Sequence, residues 1–259
     1  MPRLAANLTM LFNEISFMDR FAAAARAGFS GVEYLFPYDY DKRLLEQQLH
    51  AHNLTQVLHN LPAGDWAAGE RGIACHPDRV AEFEAGVEKA IDYATALGCR
   101  QVNCLAGITP EGVEVTDARQ TLVRNLQFAA RRLKAEGIRL LIEPINTRDI
   151  PGFFLCRTNQ ALDIIEAVGS DNVFVQYDIY HMQIMEGDLA STIERSLKLI
   201  AHMQVADPPA RHEPGTGEIN FGFLLSFIDK LGYSGWIGCE YKPAGSTEES
   251  LGWTRPYLT

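Results

Sequence analysis

The chain has 259 residues, of which 47% are hydrophobic and 22% charged, an ordinary balance for a globular protein with a substantial core. Its formal net charge of −10 argues against non-specific binding to nucleic acid or to an anionic membrane, because both need a basic surface. The sequence has no apolar run near the ~18 residues of a membrane helix and no N-terminal signal pattern, so we expect a cytoplasmic chain.

Short apolar runs alternate with longer amphipathic runs along the whole chain. The predicted strands are Leu4–Thr9, Val32–Phe36, Thr55–His59, Gln101–Leu105, Arg139–Glu143, Val173–Asp178, Ile200–Ala206 and Trp236–Glu240. The predicted helices are Phe17–Ala27, Lys42–His50, Val80–Leu97, Ala118–Glu136, Asn159–Val168, Leu189–Leu199 and Phe221–Leu231. Eight βα units favour an α/β fold, a (β/α)8 TIM barrel that forms a single domain over residues 1–259. A doubly wound sheet is less favoured, because no GxGxxG motif follows the first strand.

Glycines and one long loop separate the predicted helices and strands. The glycines that follow predicted helices, where a left-handed residue ends a helix, are Gly28, Gly98, Gly137, Gly169 and Gly232. The loop after the third strand runs from Asn60 to about Asp78, and long loops at this end of a barrel strand tend to cover a substrate. The five cysteines are scattered and lack CxxC spacing, so we expect buried thiols rather than disulfides or structural zinc.

Four successive strands carry an oxygen-bearing side chain at or near the carboxyl end. These residues are Glu143, Asp178, Gln204 and Glu240, separated by 35, 26 and 36 positions, about one βα unit each time. In a closed barrel such side chains converge, and three carboxylates with one amide oxygen suit Mg²⁺ or Mn²⁺. Any one of the acids alone could equally cap a helix or form a salt bridge. His202 is the alternative ligand on the seventh strand.

Two histidines are candidates for substrate binding. His181 follows Asp178 by three residues, where the strand gives way to a loop, and His59 ends the third strand. Each could hydrogen-bond a substrate oxygen or have no role in a site.

At these residues the sequence resembles the xylose isomerase-like barrel superfamily, and within it the hydroxypyruvate isomerase family. The motifs that carry the resemblance are His59–Trp66, Ile142–Asn146, Tyr177–Met182, Pro214–Asn220 and Gly238–Pro243. The resemblance implies a metal-assisted isomerase in which Glu143 and Glu240 bind the metal and form the acid–base pair. Asp178 and Gln204 would complete the metal shell, although many superfamily members carry histidine where this chain has Gln204.

The implied reaction converts hydroxypyruvate to tartronate semialdehyde by proton transfer through an enediol, within glyoxylate metabolism. The substrate carboxylate needs a cation, and Arg71 and Lys242 are the first candidates, with Arg211 behind them. Trp66 either closes over the substrate or anchors its loop to the barrel. The sequence leaves open which glutamate is the acid and which the base.

Three other functions compete with this prediction. The nearest is isomerisation or epimerisation of another small sugar acid, such as a four-carbon 2-oxo acid, at the same metal site. Apurinic endonucleases share the superfamily barrel, but they would need a histidine-rich zinc site and a basic face for DNA, and this chain has seven histidines and a net charge of −10. A barrel that binds a sugar acid without catalysis would need no second acid–base group. A homo-oligomer is compatible with the sequence.

Overall fold

The computed structural model describes residues 2–258, in which eight parallel strands close into a barrel in chain order. The strands are β1 (Arg3–Asn7), β2 (Gly31–Glu33), β3 (Thr55–Asn60), β4 (Gln101–Cys104), β5 (Arg139–Ile142), β6 (Val173–Asp178), β7 (Ile200–Val205) and β8 (Trp236–Cys239). β1 pairs with both β2 and β8, so the described barrel has no free strand edge. This confirms the predicted (β/α)8 fold.

Helices follow the strands and cover the barrel. They are α1 (Phe17–Arg26), α2 (Lys42–Ala51), α3 (Val80–Ala96), α4 (Val115–Ala135), α5 (Thr158–Val168), α6 (Ile179–Met185), α7 (Leu189–Ser196), α8 (Phe221–Lys230) and α9 (Thr247–Ser250). All five glycines predicted to end helices have positive φ angles. The short helices α6 and α9 were not predicted, because neither is long enough to show a helical period.

Six of the eight strands within residues 2–258 end one to three residues earlier than the apolar runs suggest. The second strand, predicted as Val32–Phe36, ends at Glu33. Beyond it the backbone N–H of Leu35 donates to the Thr9 hydroxyl at 2.9 Å instead of continuing the ladder. The prediction was therefore wrong by three residues at this end, and Glu33 stands at the mouth of the barrel rather than in the middle of a strand.

The apolar core has two parts. The larger part lies between the strands and the helices. The smaller part fills the inside of the barrel at its amino-terminal end and comprises Ala5, Val57, Leu58, Leu141 and Ala201, with Phe174 and Trp236 packed against it. We call this smaller set the barrel plug. Gly31 is needed beside it, because a Cβ there would stand 2.6 Å from the Trp236 ring.

The last two features of the fold are the state of the cysteines and the apolar character of the helices. All five thiols are free, and four are buried while Cys156 is partly exposed. None of the helices within residues 2–258 combines the length and apolar character that crossing a bilayer requires.

Candidate active site

A cavity of about 720 Å³ opens at the carboxyl ends of the strands. Each of the eight strands, or the residue directly after it, contributes to its wall: Asn7, Glu33, Asn60, Leu105, Glu143, Gln176, Gln204 and Glu240. Enzymes with this fold place their active sites at the same end of the barrel. The long loop after β3 adds Trp66 and Arg71 to the wall.

Three carboxylates lie almost wholly buried at this end of the barrel, and two of them, Glu143 and Glu240, line the cavity. Glu143, Asp178 and Glu240 are 4%, 0% and 7% exposed. Glu143 follows β5 and accepts a hydrogen bond from Asn103 Nδ2 at 2.8 Å. Glu240 follows β8 and accepts one from Asn7 Nδ2 at 3.2 Å. Of the four predicted ligands, the fold thus brings Glu143, Gln204 and Glu240 to the wall of one cavity, and a different asparagine donates to each of the two glutamates.

Asp178 ends β6 and also begins α6. Its Oδ1 accepts from the backbone N–H of Tyr180 at 2.8 Å and more weakly from that of His181 at 3.4 Å. This cap fixes one carboxylate oxygen on the helix. The other oxygen, Oδ2, lies 3.5 Å from both His181 Nε2 and Arg211 Nη2.

Burial dominates the electrostatics of the cluster. It raises the pKa of Glu143, and the neighbouring charges of Glu240 and Asp178 raise it further. Burial also raises the pKa of Asp178, and it raises that of Glu240 to about 8 in spite of the opposing effect of Arg211. Within the described residues the cluster therefore lacks enough positive charge to keep three carboxylates ionised near neutral pH.

Arg211 is the cation that lies against the carboxylates. Its Nη2 donates to Glu240 Oε2 at 2.6 Å and lies 3.5 Å from Asp178 Oδ2. The guanidinium covers the ring of Tyr180 at 4.9 Å, and its buried Nε has no hydrogen-bond partner among the described residues. The residue has a φ of 61°, held by a hydrogen bond from the Lys242 N–H to its carbonyl at 2.8 Å. Sequence reasoning ranked Arg211 behind Arg71 and Lys242, because nothing local predicts this loop conformation.

Gln204, the fourth predicted ligand, lines the cavity but is held by other partners. Its Nε2 donates to Glu33 Oε1 at 2.8 Å, and its Oε1 accepts from Gln176 Nε2 at 2.7 Å. Because the amide nitrogen donates to Glu33, the amide oxygen of Gln204 lies on the side away from Glu33. That oxygen keeps a second lone pair, although its described contact is with Gln176 rather than with the three carboxylates.

Glu33 and the alternative ligand His202 form a buried pair beside Gln204. His202 Nε2 lies 2.6 Å from Glu33 Oε2, and the two side chains are 0% and 1% exposed. His202 is not among the residues that line the cavity, and its described side-chain partner is Glu33. A Cβ on Gly238 would stand 2.3 Å from Glu33 Oε1, so the glycine makes room for the acid. Sequence reasoning missed Glu33, and its one signal was a charge within an apolar run.

The donor set fits a hard divalent cation. Atoms of Glu143, Asp178 and His181 that could bind a metal lie within 4.8 Å of one another. The buried, incompletely neutralised carboxylates supply the oxygen ligands and the negative charge that Mg²⁺ and Mn²⁺ favour.

His181 reaches the carboxylates from the first turn of α6. Its Nε2 lies 3.5 Å from Asp178 Oδ2 and 3.9 Å from Glu143 Oε1. On the other side of the ring, Nδ1 lies 2.6 Å from Asn146 Nδ2. The ring is 3% exposed, and burial holds its pKa well below the ordinary value. The structure thus places His181 in the site, and it adds Asn146, which the sequence did not single out as a separate candidate.

His59 does not face the cavity. Its ring is fully buried against Tyr38, with ring centroids 6.1 Å apart, and burial lowers its pKa to about 4. Successive side chains of a strand point to opposite faces, so the next residue, Asn60, lines the cavity instead. The predicted substrate contact of His59 therefore has no counterpart in this geometry.

The remaining predicted substrate contacts lie at the rim. Trp66 is 36% exposed and packs against Phe36, with ring centroids 5.1 Å apart. The Arg71 guanidinium covers Trp66 at 4.1 Å, and Lys242 is exposed beside Arg211. These three side chains surround the entrance, while Arg211 alone among the candidate cations contacts the carboxylates.

Known proteins share this architecture over the full length of the chain. Hydroxypyruvate isomerase of Escherichia coli is 55% identical over 99% of this chain and 100% of its own length. The 2-oxo-tetronate isomerase of Cupriavidus necator is 49% identical over 100% and 99%. A crystal structure of a protein named AP endonuclease, family 2, from Brucella melitensis, superposes with a TM-score of 0.98 at 48% identity, covering both chains fully. The family model described as xylose isomerase-like TIM barrel matches residues 21–257, and the chain belongs to that family.

Proposed function

We propose that this chain isomerises a small 2-oxo acid that carries a hydroxyl group on C3, with hydroxypyruvate and tartronate semialdehyde as the interconverted pair. The observation that carries the proposal is the pair of buried glutamates, Glu143 and Glu240, which flank the cluster from strands β5 and β8 and have separate amide donors. Two poised carboxyl groups are what a proton transfer between adjacent carbons requires. The names of the two isomerase relatives support the same chemistry.

A divalent ion, Mg²⁺ or Mn²⁺, would be held by Glu143, Asp178 and Glu240, with the Gln204 oxygen as the fourth ligand. When bound, it supplies electrostatic stabilisation of the negative charge that develops on the two adjacent substrate oxygens. Gln204 would offer the second lone pair of its oxygen without turning the amide, because the contact with Glu33 holds the nitrogen on the other side.

The protein groups then carry the proton. One glutamate removes a proton from C3 of hydroxypyruvate, which leaves an enediolate across C2 and C3. A proton returns to C2, the hydroxyl proton of O3 leaves, and O2 gains a proton, so the carbonyl moves from C2 to C3 with no net change in composition. In the metal-free protein burial raises the pKa of both glutamates, and a bound cation would favour their ionised, proton-accepting form.

The substrate carboxylate would bind near Arg211. This guanidinium already lies at the cluster and has an unpaired, buried Nε. Arg71 and Trp66 would close the entrance from the loop after β3 and limit access of water to the enediolate. Lys242, which is exposed at the rim, would contribute mainly by attracting an anionic substrate.

A four-carbon 2-oxo acid is the second candidate substrate. Like hydroxypyruvate, it has a carbonyl at C2 and a hydroxyl group at C3, so the same proton transfer applies. The relative from Cupriavidus necator is named for such an acid. A cavity of about 720 Å³ has room for more than three carbons. The same residues would therefore serve either acid.

Cleavage of DNA is not supported by the geometry, although the Brucella melitensis protein bears an endonuclease name. Of the seven histidines in the chain, all within the described residues, His181 is the one that contacts the carboxylate cluster. A multi-zinc site would need several. The cytoplasmic location, a homo-oligomeric state and a place in glyoxylate metabolism stay predictions.

A substrate panel tests the proposal. Metal-stripped protein, resupplied with Mg²⁺ or Mn²⁺, is assayed with hydroxypyruvate and with four-carbon 2-oxo acids, and kcat/KM is compared. We expect turnover that depends on the added metal and is highest for hydroxypyruvate. A preference for the four-carbon acid would select the second candidate, and no turnover of any acid with metal bound would contradict the proposal.

A further inference from the structure

Asn146 connects His181 to the loop that follows β5. The asparagine side chain is 0% exposed, and its Nδ2 lies 2.6 Å from His181 Nδ1 and 3.1 Å from Asp149 Oδ2. Its Oδ1 accepts from the backbone N–H of Asp149 at 2.7 Å. The amide is thus held at both ends by groups that do not rotate freely.

The backbone contact settles which end of the amide faces the histidine. The oxygen and nitrogen of an asparagine side chain are exchangeable unless the hydrogen bonds decide between them. A backbone N–H can only donate, so the atom that faces Asp149 N must be the amide oxygen. The –NH₂ group therefore points towards His181.

The orientation of the amide determines where His181 carries its proton. Because the –NH₂ group of Asn146 can only donate, His181 Nδ1 must accept, and a proton on Nδ1 would bring two N–H groups together at 2.6 Å. The ring is then neutral, with its single proton on Nε2. Nε2 is the atom that faces Asp178 Oδ2 at 3.5 Å and Glu143 Oε1 at 3.9 Å.

We propose that Asn146 is a positioning residue that holds His181 as the Nε2–H tautomer, so that His181 donates a hydrogen bond to a substrate oxygen rather than a lone pair to a metal. The role assigned to His181 rests on the proposed isomerisation. His181 is therefore excluded from the ligand set, in spite of the short distances from its ring to Glu143 and Asp178. A fixed donor beside the reacting carbons stabilises negative charge on a substrate oxygen without reorganising in the reaction.

An exchange of the two side chains in this loop tests the proposal. In the double variant Asn146→Asp/Asp149→Asn the side chain that faces His181 Nδ1 becomes a carboxylate, which accepts, while the number of charges stays the same. The tautomer should switch to Nδ1–H. The single variant Asp149→Asn is the matched control, because it keeps the Asn146 donor and carries the same change near Arg211.

Two measurements are made on the full chain. Long-range ¹H–¹⁵N NMR of histidine-labelled, Mg²⁺-supplemented protein reports the tautomer, with the His181 signals assigned through His181→Gln. Steady-state kinetics with hydroxypyruvate give kcat and KM. We expect Nε2–H in the wild type and in Asp149→Asn, and Nδ1–H in the double variant. We expect kcat of the double variant to fall on the order of 10²-fold below that of Asp149→Asn, with little change in KM.

An Nδ1–H tautomer in the wild type would overturn the proposal, as would an unchanged kcat in a double variant whose tautomer has switched. The wild-type spectrum decides the first point even when the double variant does not fold. The spectrum also needs no turnover. Absence of isomerisation by the wild type would therefore overturn the proposed function and the role of His181 as a donor to substrate, while the part of Asn146 in setting the tautomer would still be decided by NMR.

Discussion

The two ends of the barrel interior are built from the same strands but serve opposite purposes. At the amino-terminal end the barrel plug is apolar, with Leu141 of β5 0% exposed. Glu143 comes two residues after Leu141, so its side chain points to the same inward face, but it lies at the mouth of the barrel. The plug stabilises the barrel by burying apolar surface, whereas the mouth buries charge at a cost in stability.

The mouth offsets this cost only in part. Asn7 and Asn103 donate to the two glutamates, and Arg211 donates to Glu240. In spite of these donors, burial still raises the pKa values of all three carboxyl groups. Residues that stabilise the fold and residues proposed to act on substrate therefore lie at opposite ends of the barrel interior. Substitutions in the plug should mainly lower stability, whereas substitutions at the mouth should mainly lower kcat.

The largest effect should come from the glutamates at the mouth. Glu143→Gln and Glu240→Gln each keep the side-chain shape but remove the acid–base group and a metal ligand, so we expect kcat to fall about 10²- to 10⁴-fold. Because burial disfavours the ionised form of both carboxyl groups, replacing them with neutral amides should not lower the thermal stability of the metal-free protein. Turnover with hydroxypyruvate and a thermal melt of the metal-free protein check both points, and activity within tenfold of wild type would contradict the assignment.

The next effect belongs to the plug. Leu141→Ala should lower the free energy of unfolding by about 3 kcal/mol, because it leaves a cavity in a packed interior, and kcat should change little. Urea denaturation and steady-state kinetics measure the two quantities, with Leu141→Met as the volume-conserving control. A large loss of kcat without a loss of stability would show that the two ends are not separated in function.

Arg211 should matter more for substrate binding than the rim cations. Arg211→Gln removes the guanidinium beside Glu240, and we expect KM for hydroxypyruvate to rise about tenfold or more, as for the loss of a charged hydrogen bond of ~1.5–3 kcal/mol. The matched change Lys242→Gln removes an exposed charge and should have a smaller effect, mainly at low salt. Equal effects of the two variants would place the carboxylate at the rim instead.

The smallest expected effect is on the pH dependence of stability. Glu240 has a pKa of about 8 in the folded protein against an ordinary value of 4.5, so the folded state retains a proton that the unfolded state has lost. The bound proton therefore adds to the free energy of unfolding. This contribution is fully present below the ordinary pKa of 4.5 and is lost as the pH rises through about 8. We expect the melting temperature of the metal-free protein to fall by about 5 °C over this window, an effect reduced in Glu240→Gln. Mg²⁺ should remove the fall, and a flat profile without metal would contradict the account.

Local pattern predicted the architecture and placed Glu143, Asp178 and Glu240 at or next to the carboxyl ends of strands. The alternation of apolar and amphipathic runs gave the eight βα units, and the strand spacing brought Glu143, Asp178 and Glu240 together. His59 was misplaced because a shift of one residue turns a strand side chain to the other face.

The residues that contact the carboxylates could not be predicted from local sequence pattern. Asn7 and Glu240 are 233 residues apart in the chain, so their contact depends on closure of the barrel between β1 and β8. Arg211 depends on a left-handed backbone conformation that a non-glycine residue seldom adopts. Asn146 acts through an amide orientation that only a contact with the Asp149 backbone defines.

The central claim is that the two buried glutamates at the mouth move a proton between adjacent carbons of a 2-oxo acid. Proton NMR of the metal-supplemented enzyme with hydroxypyruvate in D₂O tests it most directly, alongside Glu143→Gln, Glu240→Gln and a sample without enzyme. We expect tartronate semialdehyde with deuterium at C2 from the wild type and none above background from either variant. Full turnover in either variant, or hydroxypyruvate that stays unchanged with the wild type while a metal is bound, would contradict the claim.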